Sequence, residues 1–237
     1  MSNDAQIPEG AELVNGVFHQ TLRPASSESR PALFLDRDGC VIVEAHYLHK
    51  VKDVQLIDGA ASVIARANGL NIAVVIVTNQ AGIGYGYFTW NDFYRVQQEL
   101  NSQLAKAGAH LDGVFACPFH VKGKAPYQYV NHPSRKPNPG MLYAAAAALN
   151  LDLRRSWIVG DRTGDLGAGL NAHIAGGIHV ASGHGSQEGE REASLALAAA
   201  APESFLSSNP RANKEPLLSI MEILFGLSPG TAAATKY

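Results

Sequence analysis

The sequence predicts an α/β fold, a three-layer α/β/α sandwich around a central parallel sheet. Three observations predict it. Short apolar, β-branched runs alternate with helix-patterned segments, which indicates a parallel sheet covered on both faces. Three of those runs end in polar residues at their C-terminal tips, where open parallel sheets bind ligands. Between the first such tip, at Asp38, and the first helix, at Asp58, lie about twenty residues. That is room for a loop or hairpin, "CVIVEAHYLHKVKDVQLI", but not for a large cap domain. The arrangement is Rossmann-like.

The elements follow in chain order. Residues 1–30 are mixed, and "RPASSESRP" reads as a linker. "PALFLD" is a buried strand ending on Asp36. "DGAASVIARANG" opens on the capping residue Asp58 and closes on Gly69, so it predicts a helix. "NIAVVIVTN" is a continuous β-branched strand. Thr89 with Asp92 three residues on is a capping-box pattern, after which Phe93, Val96, Leu100 and Leu104 recur at helical spacing. "LDGVFACP" is a third strand. "NPGMLYAAAAALN" is a helix with proline near its start. "SWIVGD", "DLGAGLNAHI" and "GGIHVASG" continue as strand, helix and strand. Beyond them, "ASLALAAAAPESFL" and "PLLSIMEILFGL" predict helices, and "SPGTAAATKY" a frayed end. The expected division is an N-terminal extension and linker over 1–30, the α/β domain over 31–185, and a helical extension over 186–237 packing on the same domain.

Composition narrows the function classes. A chain of 237 residues can bury a large core without staples, and 46% hydrophobic against 17% charged residues is globular. A net charge of -2 supplies no basic field for nucleic acid. Two cysteines make no disulfide framework. The N-terminus lacks the basic and apolar regions of a signal peptide, and no apolar run reaches transmembrane length. The expectation is a cytoplasmic protein with no membrane or nucleic-acid partner.

The chemistry collects at three strand tips: Asp36 and Asp38; Thr78, Asn79 and Gln80; Asp161 and Asp165. If the strands are neighbours, the tips share one crevice. Crowded carboxylates repel, so a cation must hold them, and oxygen ligands favour Mg²⁺ over zinc. One Asp after a strand is commonly a turn or cap residue. Three polar tips together, with Asp-x-Asp-Gly among them, do not fit that reading.

"FLDRDG", "VVIVTNQAGIGYGYFT", "RKPNPGM" and "IVGDRTGDLGAG" resemble, in this order, the four motifs of the haloacid dehalogenase superfamily of phosphatases. The longer phrases are similar to its D,D-heptose 1,7-bisphosphate and histidinol-phosphate phosphatase branch. The resemblance runs from about Phe34 to Gly183. It implies that Asp36 attacks phosphorus and forms an aspartyl-phosphate, which suits a carboxylate because it needs no activating base at neutral pH. Asp38 would protonate the leaving alcohol and then deprotonate water. Two residues apart on extended backbone, both can face one site. Mg²⁺ would be held by the Asp36 carboxylate, the Asp38 carbonyl and Asp161. Asp165 would support the metal shell or orient Lys136. Thr78 would bond a phosphoryl oxygen, and Asn79 and Gln80 would add polar substrate contacts. Lys136 would neutralise charge on the transferring group, and Arg135 would hold a second substrate phosphate.

The implied substrate is a small phosphorylated sugar, first a heptose 1,7-bisphosphate, with histidinol phosphate or another sugar phosphate as the alternative. A phospho-storing receiver domain would gain nothing from Asp38. A catalytically inactive sugar-phosphate binder would not need Asp36, Asp38, Lys136 and Asp161 together. Gly82, Gly84 and Gly86 do not have dinucleotide-binding spacing and predict a flexible loop over the substrate. On the flap, His46, Tyr47 and His49 are placed to touch substrate or, as the first expectation, to be solvated loop residues.

In the resembled branch a structural zinc loop precedes the Arg-Lys-Pro motif. Its four positions fall here on Cys117, Phe119, His132 and Ser134, with His120 one place away. Structural zinc takes four protein ligands. Only Cys117, His120 and His132 are of suitable type, so the segment predicts a zinc-loop remnant with no structural zinc.

Overall fold

The five expected strands form one parallel sheet, and three further strands extend it. The computed structural model describes residue 7, residues 10–201 and residues 206–208. The strands are β1 (Ala11–Val14), β2 (Val17–Thr21), β3 (Ala32–Leu35), β4 (Ala73–Asn79), β5 (Gly113–Cys117), β6 (Trp157–Gly160), β7 (Gly176–His179) and β8 (Leu206–Ser208). Their spatial order is β1-β2-β5-β4-β3-β6-β7-β8. All pairs from β5 to β8 are parallel, and β1 and β2 add antiparallel. The central β3 therefore lies between β4 and β6, with Leu35 opposite both Ile76 and Val159. This register brings the three polar tips together.

Helices α1 (Ala60–Gly69), α2 (Ala81–Tyr85), α3 (Trp90–Lys106), α4 (Gly140–Leu149), α5 (Thr163–Asn171) and α6 (Glu190–Ala200) complete the chain. Because successive strand residues face opposite ways, the sheet divides its apolar side chains between two cores. Leu33, Leu35, Val74 and Ile76 pack with α1 and α3. Ala32, Phe34, Val75 and Val77 pack with α4 and α5. Burial on both faces explains why these strands read as continuous apolar runs. The capping box at Thr89 forms as expected, with Asp92 N–H donating to Thr89 Oγ1 and Thr89 N–H to Asp92 Oδ2. Helix α1 starts one residue later than expected. Its N-cap is Gly59 at φ 83°, a left-handed conformation that suits glycine better than Asp58.

Three expectations are corrected by the structure. The segment over 1–30 is more than extension and linker, since residues 11–21 form a hairpin that enters the sheet. Its turn is Asn15-Gly16, both at positive φ, the two-residue loop whose twist matches paired strands. The signal, Asn-Gly between apolar residues, stands in the sequence as "LVNGVF". The expected linker is itself tied down, with Arg30 Nη2 2.6 Å from the buried Asp112 carboxylate. The glycine-rich stretch after β4 is not a flexible loop but the short helix α2, with Gly82 and Gly84 buried. A β-carbon on Gly82 would collide with the Phe88 ring, and one on Gly84 with the Pro118 carbonyl. These glycines permit close packing rather than motion.

Residues 190–200 of the C-terminal extension form α6, which packs on α5. The expected helix "PLLSIMEILFGL" and the closing "SPGTAAATKY" lie outside the described residues. Among the described residues no helix is long and apolar enough to cross a membrane.

The hairpin is anchored by Phe18, fully buried, whose ring stacks on Trp90 at 5.4 Å and meets Phe93 edge-on at 5.2 Å. Substitution Phe18→Ala should lower unfolding free energy by about 3–5 kcal/mol, as large-to-small core changes do. Urea denaturation measures this. A change below about 0.5 kcal/mol, the range of surface substitutions, would show that the hairpin is peripheral to the core.

Candidate active site

The site is built where β3 ends. Asp36 follows Leu35 directly, and its N–H bonds the Val159 carbonyl at 2.9 Å, so the backbone stays in the sheet up to this residue. The chain then turns tightly: the N–H groups of Val41 and Ile42 both donate to the Arg37 carbonyl at 3.0 Å. Gly39 makes the turn at φ 80°, and a β-carbon there would strike the Asp161 carboxylate. Within the turn Arg37 points into the core. It is fully buried, with its guanidinium 4.9 Å from the centre of the Phe93 ring. Its Nε and Nη2 donate to Asp38 at 2.9–3.1 Å. Gln80 Nε2 donates to the same carboxylate at 2.8 Å and to Thr78 Oγ1 at 3.0 Å. Asp38 is thus held in one orientation by two neighbours.

Lys136 lies at the centre. Its ammonium donates to Asp36 Oδ1 and to the Val77 carbonyl, both at 2.6 Å, and pairs with Asp165 Oδ1 at 2.5 Å. Burial opposes its charge, but Asp165 and Asp36 outweigh that and hold Lys136 above the usual lysine range. One Asp165 oxygen is thus spent on Lys136, and the other accepts the Arg162 N–H at 3.0 Å. Lys136 is also fixed by its backbone, because Asn79 donates to its carbonyl and accepts from its N–H, both at 3.1 Å. Asn79 and Gln80, expected as substrate contacts, therefore direct their amides to Lys136, Asp38 and Thr78, although both still line the cavity.

Asp36, Asp161 and Asp165 are buried together, each offering a carboxylate oxygen within 4.8 Å of the others. Asp161 Oδ2 accepts the His184 N–H at 2.7 Å, while its Oδ1 is buried with no hydrogen-bond partner. Burial pushes Asp36 up to about 7, with Asp165 and Asp38 adding to the rise and Lys136 opposing it. Burial, then Asp36 and Asp165, push Asp161 up to about 8. Three crowded carboxylates, one orphaned oxygen and a single ammonium leave uncompensated negative charge. An oxygen-ligated divalent cation fits this donor set.

Above this floor opens a cavity of about 480 Å³. Arg135 and Arg162 stand on its rim, with Arg135 Nη1 bonded to the Phe119 carbonyl at 3.0 Å. Tyr47, Tyr85 and His120 form one wall, and Glu44, His184 and Glu190 line it elsewhere. His46 and Tyr47, expected in solvent, line the cavity, because the flap folds back over the strand tips.

Cys117, His120 and His132 do not converge on one point. His132 Nδ1 is 4.0 Å from Cys117 Sγ but accepts the Ser134 N–H at 3.1 Å. His120 Nδ1 accepts the Lys122 N–H at 3.0 Å and lies 2.9 Å from the Tyr85 hydroxyl. Burial pushes the Cys117 thiol up to about 11, against the Phe119 N–H. Phe119, at a ligand position of the resembled loop, stacks on His132 with ring centres 3.9 Å apart and planes 5° apart. Tyr127 and Tyr129 meet Phe119 edge-on. Among the described residues the only group of three or more His, Cys, Asp or Glu placed to hold a metal is Asp36, Asp161 and Asp165.

Sequence reasoning missed Arg37, Glu44, Arg162, His184 and Glu190. Arg37 carried a signal, its place between the two aspartates. Glu190 carried none. It comes from α6 and accepts the Thr163 N–H at 2.9 Å, capping α5 from far along the chain.

The chain is similar in sequence and fold to known proteins. A family profile described as HAD-hydrolase-like matches residues 133–207. A D-glycero-beta-D-manno-heptose-1,7-bisphosphate 7-phosphatase of Mesorhizobium japonicum is 46% identical over 147 residues, 62% of this chain and 68% of the relative. One of the same name from Pasteurella multocida is 36% identical over 71% of this chain and 91% of the relative. Among solved structures, a putative HAD-like phosphatase from Mesorhizobium loti superposes with TM-score 0.74 at 37% identity, covering 88% of this chain and 94% of that one. A D,D-heptose 1,7-bisphosphate phosphatase from B. bronchiseptica, complexed with magnesium and phosphate, gives 0.66 at 27% identity over 83% of this chain and 98% of that one.

The raised carboxyls make stability depend on pH. Without a cation, folded Asp36 and Asp161 keep their protons up to about 7 and about 8, whereas unfolded they lose them near 3.8. Over that window the folded state binds more protons, so stability falls as pH rises. The melting temperature in chelator should decline from about pH 5 to pH 8, and a saturating divalent cation should offset the decline by binding the ionised carboxylates. Stability rising with pH in chelator would contradict the burial of this cluster.

Proposed function

The chain belongs to the haloacid dehalogenase superfamily of phosphatases, which are phosphoric monoester hydrolases, and from that premise we propose that its site hydrolyses a phosphorylated sugar, D-glycero-D-manno-heptose 1,7-bisphosphate, through an aspartyl-phosphate on Asp36. The observation that carries this reading is the buried Asp36–Lys136–Asp165 chain with Asp38 two residues from the nucleophile. Asp36 attacks phosphorus as its bond to the sugar oxygen breaks, and Asp38 gives that oxygen its proton. Asp38 then takes a proton from water, which attacks the aspartyl-phosphate and releases phosphate and free Asp36. Lys136, oriented by Asp165, counters charge on the phosphoryl oxygens. Thr78 accepts a hydrogen bond from Gln80, which leaves its own proton free for a phosphoryl oxygen. On the rim, the Arg135 guanidinium is offered to the second phosphate as a planar fork.

Mg²⁺, held by the Asp36 and Asp161 carboxylates and the Asp38 carbonyl, would screen the nucleophile from the phosphate dianion. The orphaned Asp161 oxygen supports that assignment, as does the magnesium and phosphate bound by the B. bronchiseptica relative. A cytoplasmic location goes with this reading, since a sugar bisphosphate carries too much charge to cross a bilayer unaided. A second reading, histidinol phosphate, draws on Glu44 and Glu190, which suit a ligand ammonium as well as hydroxyl groups. Phosphate release across sugar mono- and bisphosphates and histidinol phosphate separates the two. A preference for histidinol phosphate overturns the sugar assignment.

In that assay Asp36→Asn should fall to background, and Asp38→Asn should lose about 10²–10⁴-fold in kcat, the range of a general acid. Binding of the bisphosphate with no turnover by the wild type would instead identify an inactive binder. We also propose that the Cys117–Ser134 loop folds without zinc, its ligand positions replaced by the Phe119–His132 stack. Elemental analysis of protein purified without chelator should find zinc well below one equivalent, and one tightly bound zinc per chain would refute this.

A further inference from the structure

The flap after Asp38 holds two consecutive non-glycine residues in the left-handed region, His46 at φ 42° and Tyr47 at φ 58°. Of the seven non-glycine residues with positive φ among the described residues, four are asparagine, which tolerates it. Tyr47 is the only one of them with a large aromatic side chain, and for a bulky residue this conformation is a true outlier. Core packing does not explain it, because Tyr47 remains 48% exposed. Strain without burial in return points to function.

Several contacts hold the conformation. The His46 N–H donates to Glu44 Oε1 at 2.7 Å, and His49 Nδ1 lies 2.9 Å from the Tyr47 carbonyl. The His49 ring stacks on Phe88 at 5.7 Å, tying the flap to the segment before α3. Gly82 leaves the space in which the Tyr47 ring sits. The ring meets Tyr85 edge-on at 6.0 Å and Tyr87 at 5.0 Å. Tyr47 and Tyr85 line the cavity above Asp36, whereas Glu44 and Glu190 line it as acceptors.

A sugar has the complementary chemistry, with an apolar carbon face for an aromatic ring and hydroxyl groups for carboxylates. Carboxylates would also repel a second phosphate, directing it toward Arg135. Resting on the phosphosugar reading above, we propose that Tyr47, backed by Tyr85, is a specificity-determining residue that packs on the carbon face of the sugar between its two phosphates.

The test compares heptose 1,7-bisphosphate with acetyl phosphate, which has a transferable phosphoryl group and no sugar. Tyr47→Ala should raise KM for the bisphosphate about five- to tenfold, the size of an aromatic contact, leave kcat within about twofold, and leave acetyl phosphate hydrolysis unchanged. Tyr47→Phe should match wild type, because the ring and not the hydroxyl makes the contact. Tyr47→Gly, which removes the ring but suits the left-handed backbone, should show the same KM change with a melting temperature at or above wild type. This separates the ring from the fold. Equal losses on both substrates in Tyr47→Ala and Tyr47→Gly, or no change on either, would overturn the proposal while leaving the phosphatase reading intact. Wild-type turnover of acetyl phosphate but of no sugar phosphate would overturn the sugar reading and this proposal with it.

Discussion

The buried ammonium of Lys136 is the interaction on which the site depends. It lies between Asp36 and Asp165, and all three side chains are nearly closed to water. A buried charge is tolerable only when paired and hydrogen-bonded, and removing one partner strands the other at a cost of about 3–5 kcal/mol. Each residue comes from a different segment: Asp36 from the tip of β3, Asp165 from the first turn of α5, and Lys136 from the chain entering α4. Asn79, at the end of β4, clamps the Lys136 backbone from both sides. One charge network therefore fixes the relative position of three strand tips and a loop.

The charges of the same network do not balance. Asp161 adds a third carboxylate with no second ammonium, and one of its oxygens has no partner. Burial, and then repulsion between the carboxylates, raise Asp36 and Asp161 well above ordinary carboxyls. In the proposed mechanism, however, Asp36 must be ionised to attack phosphorus. The electrostatics that destabilise the ionised cluster are thus those that a bound cation would relieve, and the proposed mechanism couples folding and activity through this one cluster.

Around this floor the walls come from chain outside the sheet. The flap after β3 supplies Glu44, His46 and Tyr47, α2 supplies Tyr85, and α6 supplies Glu190. The sheet needs fixed distances because proton and phosphoryl transfer tolerate little displacement. Specificity needs shape and contact, which loops on a rigid scaffold can vary. The segment before Lys136 illustrates this freedom. Phe119 and His132 stack where the resembled branch places metal ligands, and aromatic packing occupies the position of coordination.

The sequence by itself determined the strand tips and their chemistry. Asp36, Asp38, Thr78, Asp161 and Asp165 were legible because local apolar runs end on or just before them, and one run's end is a local property. Lys136 follows no strand and was legible only through the resemblance of its Arg-Lys-Pro motif. The hairpin stood in the sequence too, in Asn15-Gly16, although its strands are short and their flanks polar. Tertiary structure decided the partners. That Asn79 holds Lys136, that Arg37 and Gln80 orient Asp38, that Glu190 caps α5 and that Tyr47 faces the cavity all depend on which segments meet across the sheet. Such contacts join residues tens of positions apart, as Gln80 to Asp38 and Lys136 to Asp36 do. Local patterns carry no record of them, because the hydrogen bonds and ion pairs that select a side chain's direction exist only once the chain has folded.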